Sequence, residues 1–444
     1  MDYRISHGGS FVKAIADDLS KKFFLDRVGI CLLLFLAFAS CFSRYLPGYV
    51  FAVLFVVFLI RLTPWAQTKG GVYTLPGLYL WSQLVFALTW AVLVIISPAS
   101  LAGARFLLDV LLAMTIFPIV TLWAREEQFR RLILPLMVVV FITDALIATY
   151  QAWPDLNCIR VKAFLGAMRY GGLLGLLSFF WAALSFMAWQ EKNRLLAGLY
   201  GLACFAGFWG LTLNCTRISV LEVMAGAAIF FILNIRRINW RFFLVILLLF
   251  SLFVFYSTQR TDMAARLASI GNTQTNVSNT IRLTIWSYGW EVFKEHPVSG
   301  IGMGNLPKLI FSSDGTTFLG PIDKVDVQKD MIEVPHLHNV FIHIIAQGGV
   351  IGLMSYLALY LPFIVFALRR LNSSDIRIRS WAVLMLVLIG EYFTHSMTDQ
   401  IFGMKPLMFT FWMIMGLAYL QMQPNKRPDT ASTETQTAKT PAAM

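Results

Sequence analysis

The chain has little charge and few cysteines. Asp, Glu, Lys and Arg make up only 14% of its 444 residues against 58% hydrophobic, and mean hydropathy is +0.68. A soluble domain of this size and composition would expose large apolar patches, so that class is excluded. The five cysteines, at 31, 41, 158, 204 and 215, show no paired spacing and read as packing residues. Cys158 and Cys215 both fall on the outer side of the topology derived below, and whether they pair stays open. The first 27 residues mix acids and bases, and the apolar run after them lacks a small-residue cleavage site. An uncleaved signal anchor is expected there.

What the chain has in abundance is apolar runs. A hydrocarbon core of about 30 Å needs roughly 20 helical residues, and runs near that length fall at 28–44, 47–62, 78–97, 104–123, 132–150, 171–189, 195–213, 218–234, 242–257, 348–369, 380–398 and 406–421. They are continuous and rich in Leu, Phe, Trp and Met, which favours helices over barrel strands. The expected fold is an all-α polytopic membrane protein with about 12 transmembrane helices. Its parts are a cytoplasmic segment (1–27), nine spans (28–257), one large loop (258–337), three spans (338–421) and a disordered tail (422–444).

Lys and Arg collect in cytoplasmic loops. With the N-terminus inside, 22 of them lie inside and 14 outside, and seven of the outer ones sit in the long loop, where the rule does not apply. Both termini are therefore expected inside and the long loop outside. The net charge of +12 then reflects topology and contact with the lipid bilayer, and no nucleic-acid partner is expected.

The outer face collects basic and histidine residues. Arg217 opens a span in LTLNCTRISVLEV, where an isolated arginine is costly and needs a partner such as Glu222 or a task. In 281–305, IRLTIWSYGWEVFKEHPVSGIGMGN, the spacing of Ile281, Ile285, Tyr288 and Val292 predicts an amphipathic helix that carries Arg282 near its start, with Trp286 and Trp290 suited to a membrane interface. The helix stops at Pro297 and Gly300, and Gly302 and Gly304 continue a turn. The long loop closes at 334–353, VPHLHNVFIHIIAQGGVIGL, where His338 and Asn339 begin a span and Gly348 and Gly352 permit close helix approach. His338 can be a cap, an interfacial residue or a general base. Arg160, Lys162 and Arg169 in CIRVKAFLGAMR offer docking charge for phosphates or retention near headgroups. Glu391, His395 and Asp399, four apart, share a helix face as a proton relay, a metal site or a structural stripe. Asp109 and Asp144 lie mid-span and read as packing residues.

Three of these segments, HNVFIHIIAQGGVIGL (338–353), TRISVLEV with Arg217 and the segment with Arg282, resemble the O-antigen ligase (WaaL-type) family, within the superfamily that also holds O-antigen polymerases. The resemblance covers roughly the second half of the chain. It implies a GT-C-like, inverting glycosyltransferase of the bacterial inner membrane with its site facing the periplasm, no metal and no cofactor. The donor would be undecaprenyl-diphosphate-linked O-antigen and the acceptor lipid A-core. By position, His338 would be the base, Arg217 and Arg282 would hold the diphosphate, and Asp399, Asn339, Arg160, Lys162 and Arg169 would support them. Gln347 stands where the family usually has an acidic residue, so no role of that carboxylate carries over.

Such a site would open laterally between helices to admit two lipid substrates. An O-antigen polymerase is the nearest rival, but one dominant outer loop favours a ligase. A protein O-oligosaccharyltransferase would be expected to carry a large extra C-terminal domain. A lipid-linked glycan transporter or flippase would explain buried acids but more often shows repeated halves, which are not visible in this sequence.

Overall fold

The structure, a computed structural model, describes residues 20, 22–98, 100–125, 127–154, 160–234, 268–269, 276–322 and 331–423. Among the described residues fourteen α-helices run in order: α1 Phe24–Phe42, α2 Leu46–Arg61, α3 Pro64–Gly70, α4 Gly77–Ile95, α5 Ser100–Met114, α6 Ile116–Trp123, α7 Glu127–Ala152, α8 Ala167–Gln190, α9 Arg194–Asn214, α10 Arg217–Asn234, α11 Val277–Glu295, α12 Val340–Leu368, α13 Ile376–Ser396 and α14 Lys405–Gln421. The protein is an all-α polytopic membrane protein. Among the described residues eight spans are long and apolar enough to cross a bilayer, or up to nine if α2 and α3, which meet at 86°, form one. The expected span 104–123 is one of these, running Leu101–Trp123 through α5 and α6, and the expected span 242–257 lies outside the described residues.

Helix α8 sits at the centre and is buried along almost its whole length. Its glycines make that possible, because they leave room for polar side chains from neighbouring helices. A Cβ on Gly171 would stand 2.6 Å from Thr216 Oγ1, one on Gly172 would stand 2.8 Å from the His395 ring, and one on Gly175 would run into the Glu222 carboxylate. On α10, Gly226 does the same for Glu391.

The loop between α10 and α12 departs from the all-helical expectation. Helix α11 forms where the apolar spacing predicts it, but Ile285 and Val292 pack on Leu309, Phe311, Val334 and Leu337 rather than on lipid. The first three of those partners come from a three-stranded antiparallel sheet of order β2-β1-β3, with β1 Lys308–Phe311, β2 Phe318–Ile322 and β3 Ile332–Val334. Leu309 faces Pro321 on one side and Val334 on the other. The Trp286 indole donates to the Leu337 carbonyl at 2.9 Å instead of lying at an interface, whereas Trp290 is half exposed.

The turn after α11 is built into α12. Ile301 and Gly302 donate to the carbonyls of Ala346 and Gln347, each at 3.0 Å, and Val350 donates to Pro297 at 2.9 Å. Helix α12 gives up its own pairing to receive them, and Gly349 sits there at φ 58, ψ −156, a conformation restricted to glycine. The Gln347 side chain accepts from the Gly304 amide at 2.6 Å and also meets His343. Gly348 and Gly352 give the close approach their spacing predicts, and the partner is Trp90 of α4.

Candidate active site

His338 stands at the junction of the loop domain and α12. Asn339 caps that helix by accepting from the Ile342 amide at 3.0 Å, and its own amide donates to the Met397 carbonyl at 2.8 Å. This second bond joins the start of α12 to the segment just beyond α13, where Asp399 lies. His338 Nδ1 and Asp399 Oδ1 are 3.2 Å apart. The histidine backbone is left-handed, with φ 44, a conformation that costs about 1–2 kcal/mol in an L-residue. Buried Leu337 on one side and the Asn339 cap on the other hold it there.

Asp399 is the hub of the charges that gather at this end of the bundle. Its side chain is 5% exposed against 30% for His338. Burial alone would raise its carboxyl, but the His338 hydrogen bond and the charges of His395 and His338 outweigh that and hold it at about 2. The carboxylate also acts on Arg282 of α11 and on Arg169 of α8. Burial is the main influence on Arg282 and, with the like charge of Arg160, sets its guanidinium below the usual range although Asp399 opposes both. A carboxylate fixed on Nδ1 leaves the other imidazole nitrogen, Nε2, as the acceptor that a general base needs.

Arg217 opens α10 after a two-residue connection in which Cys215 takes the left-handed conformation at φ 55. Its guanidinium reaches Ser269 Oγ at 3.1 Å, and the Ser269 carbonyl accepts from the Asn279 side chain at 2.8 Å. Asn279 lies one turn before Arg282 on α11, so Ser269 ties Arg217 to the start of the helix that carries Arg282. The Glu222 partnership considered for Arg217 is not the one formed, because Glu222 meets His395 Nδ1 at 2.5 Å. Glu222, Glu391 and His395 are all buried beneath the site.

The second basic segment is folded back against α9. Gln151 receives the amides of Lys162 and Ala163, each at 3.0 Å, and Asn214 donates to the carbonyls of Val161 and Ala167 at 2.8 and 2.9 Å. Arg160 and Arg169 are thereby brought to the Arg282 and Asp399 group, while the Lys162 side chain is exposed. Cys215 is disulfide-bonded, and Cys158 lies outside the described residues. Asp109 is no buried packing residue: it is exposed and lies 3.5 Å from Lys405. Asp144 is fully buried.

His336, which does not stand at a motif position, has its ring 4.1 Å from that of His338, edge to face. His336, His338 and Asp399 each present a donor atom within 4.8 Å of the others, a set able to hold a metal ion. Burial, then the neighbouring His338, keeps the His336 imidazole below its ordinary range. Period-two alternation through an extended segment, with Leu337 turned inward, was the available signal. Arg44 was also missed. It lies in the turn between α1 and α2, stacks over Tyr45 at 5.0 Å and acts on Arg169.

A polytopic helical membrane protein with a histidine, a carboxylate and several arginines at one end of the bundle is the class defined here. Residues 202–357 match the family model described as O-antigen ligase. The match spans about a third of the chain and makes that segment similar to O-antigen ligase domains. The matched segment contains Arg217, Arg282 and His338, whereas Asp399 and the 160–169 cations lie outside it. No curated protein matches the chain.

Proposed function

We propose that the protein is an O-antigen ligase of the bacterial inner membrane, with both termini in the cytoplasm and the site facing the periplasm. It transfers polysaccharide from undecaprenyl diphosphate to the outer sugar of lipid A-core. The observation that carries this reading is the His338–Asp399 pair set among Arg282, Arg169 and Arg160. The reaction needs a proton acceptor for the attacking sugar hydroxyl and positive charge for the departing diphosphate.

His338, oriented by Asp399, takes the hydroxyl proton as the oxygen attacks the anomeric carbon. The carbon–oxygen bond to the lipid diphosphate breaks on the opposite face, so configuration inverts in a GT-C-like single displacement. Arg217 and Arg282 hold the diphosphate, since guanidinium groups chelate phosphate oxygens in pairs and stay charged at a membrane boundary. Asn339 fixes the start of α12, and Arg160 and Arg169 extend the basic surface toward phosphates of either lipid.

A polymerase uses the same donor and leaving group, so the acceptor separates the two readings. Purified protein given the lipid-linked polysaccharide and lipid A-core in excess chelator is expected to join them with inversion. Arg217→Ala and Arg282→Ala are each expected to lower kcat/KM by about 10²-fold or more. Complete loss of transfer in chelator would overturn the arginine assignment, and extension of a second lipid-linked glycan in place of core would favour the polymerase.

A further inference from the structure

We propose that His336, His338 and Asp399 form a zinc-binding site, and that zinc bound there switches the enzyme off by occupying the imidazole that serves as base. The inhibitory half of this proposal rests on the ligase reading above, whereas the binding half rests on the three side chains alone.

The donor set is two imidazole nitrogens and one carboxylate oxygen, the combination zinc accepts with three protein ligands and an open fourth position. Two donors about 2.0–2.1 Å from a tetrahedral zinc stand roughly 3.3 Å apart. His338 Nδ1 and Asp399 Oδ1 already stand at 3.2 Å, and all three donors lie within 4.8 Å of one another. His336 supplies an independent sign of a ligand: its Nδ1 is buried and has no hydrogen-bond partner among the described residues. A buried polar atom left unpaired is costly and calls for an explanation.

The surroundings favour rigidity. Asp399 Oδ1 also accepts from the Gln400 amide at 2.8 Å, and Leu337 between the two histidines is fully buried. On binding, the metal takes His338 Nδ1 beside Asp399 and the Nδ1 proton moves to Nε2, so the imidazole stays neutral and loses the lone pair that a base needs. Arg282 and Arg160 nearby oppose a dication, so affinity should be weaker than at structural zinc sites. Magnesium, which demands oxygen ligands in octahedral array, is a poor match.

The full-length protein, purified and stripped with chelator, is titrated with zinc chloride in a calorimeter. One zinc per chain is expected, with affinity reduced about ten-fold or more in His336→Ala and in Asp399→Asn and no comparable response to magnesium. Glycan transfer is then measured with and without zinc, and the inhibiting concentration is expected to rise about ten-fold or more in His336→Ala. Absence of saturable zinc binding, or binding unchanged in His336→Ala, overturns the site. Transfer that proceeds normally at saturating zinc overturns the switch. Zinc binding lost in the variants of a protein without transferase activity would instead sink the ligase reading and leave the site intact.

Discussion

At the residue scale the chemistry rests on one strained histidine. An L-residue at φ 44 gives up about 1–2 kcal/mol, which the Leu337 burial and the Asn339 cap sustain. His338→Gly removes the imidazole and the strain together, while His338→Ala removes only the imidazole. The glycine variant is therefore expected to be more heat-stable than the alanine variant by about 1 kcal/mol, read from thermal unfolding of both purified proteins. Equal stability would mean that the backbone there is not strained. His338 and Arg282 were legible in the sequence as residue types at motif positions. Asp399 was legible only as one of three acids and histidines four apart, because its contact crosses 61 residues of chain. That stripe divides in the structure: Asp399 faces His338, whereas His395 and Glu222 form a buried pair below. Spacing put all three on one side of a helix, but that helix ends at Ser396 and Asp399 lies in the segment beyond it.

At the element scale the decisive feature is the break in α12. Its glycines are visible in the sequence as a run, and the turn glycines at 300, 302 and 304 are visible as a second one. Nothing local shows that the first backbone receives hydrogen bonds from the second, more than forty residues away. Gly349 is the position where that exchange demands glycine, since an added Cβ would run into the Val298 carbonyl. Gly349→Ala is expected to cost about 2–4 kcal/mol, whereas Gly48→Ala, with open space around it, should be close to neutral. Thermal unfolding of the two purified variants checks this, and equal melting temperatures would contradict it. The small sheet was missed for a related reason. Strands of four, five and three residues carry too few positions for alternation to register.

At the scale of the whole molecule, hydropathy made the helical membrane class plain, while the number of spans depended on where long apolar runs bend. The 86° turn between α2 and α3 is not encoded in hydropathy. The charge bias carries the orientation, and accessibility checks it. Trp290→Cys in the loop domain is expected to react with an impermeant thiol reagent added to cells with a permeabilised outer membrane, and Lys192→Cys between α8 and α9 to react only after the inner membrane is opened. The reverse pattern would place the site on the cytoplasmic face, away from lipid A-core.

The assignment of His338 as the base is tested most directly in a strain lacking its own ligase. His338→Ala, present in the membrane at the level of the unaltered protein, is expected to leave lipopolysaccharide without long chains on a gel, while the unaltered protein restores them. Long chains attached at normal levels by His338→Ala would contradict the assignment.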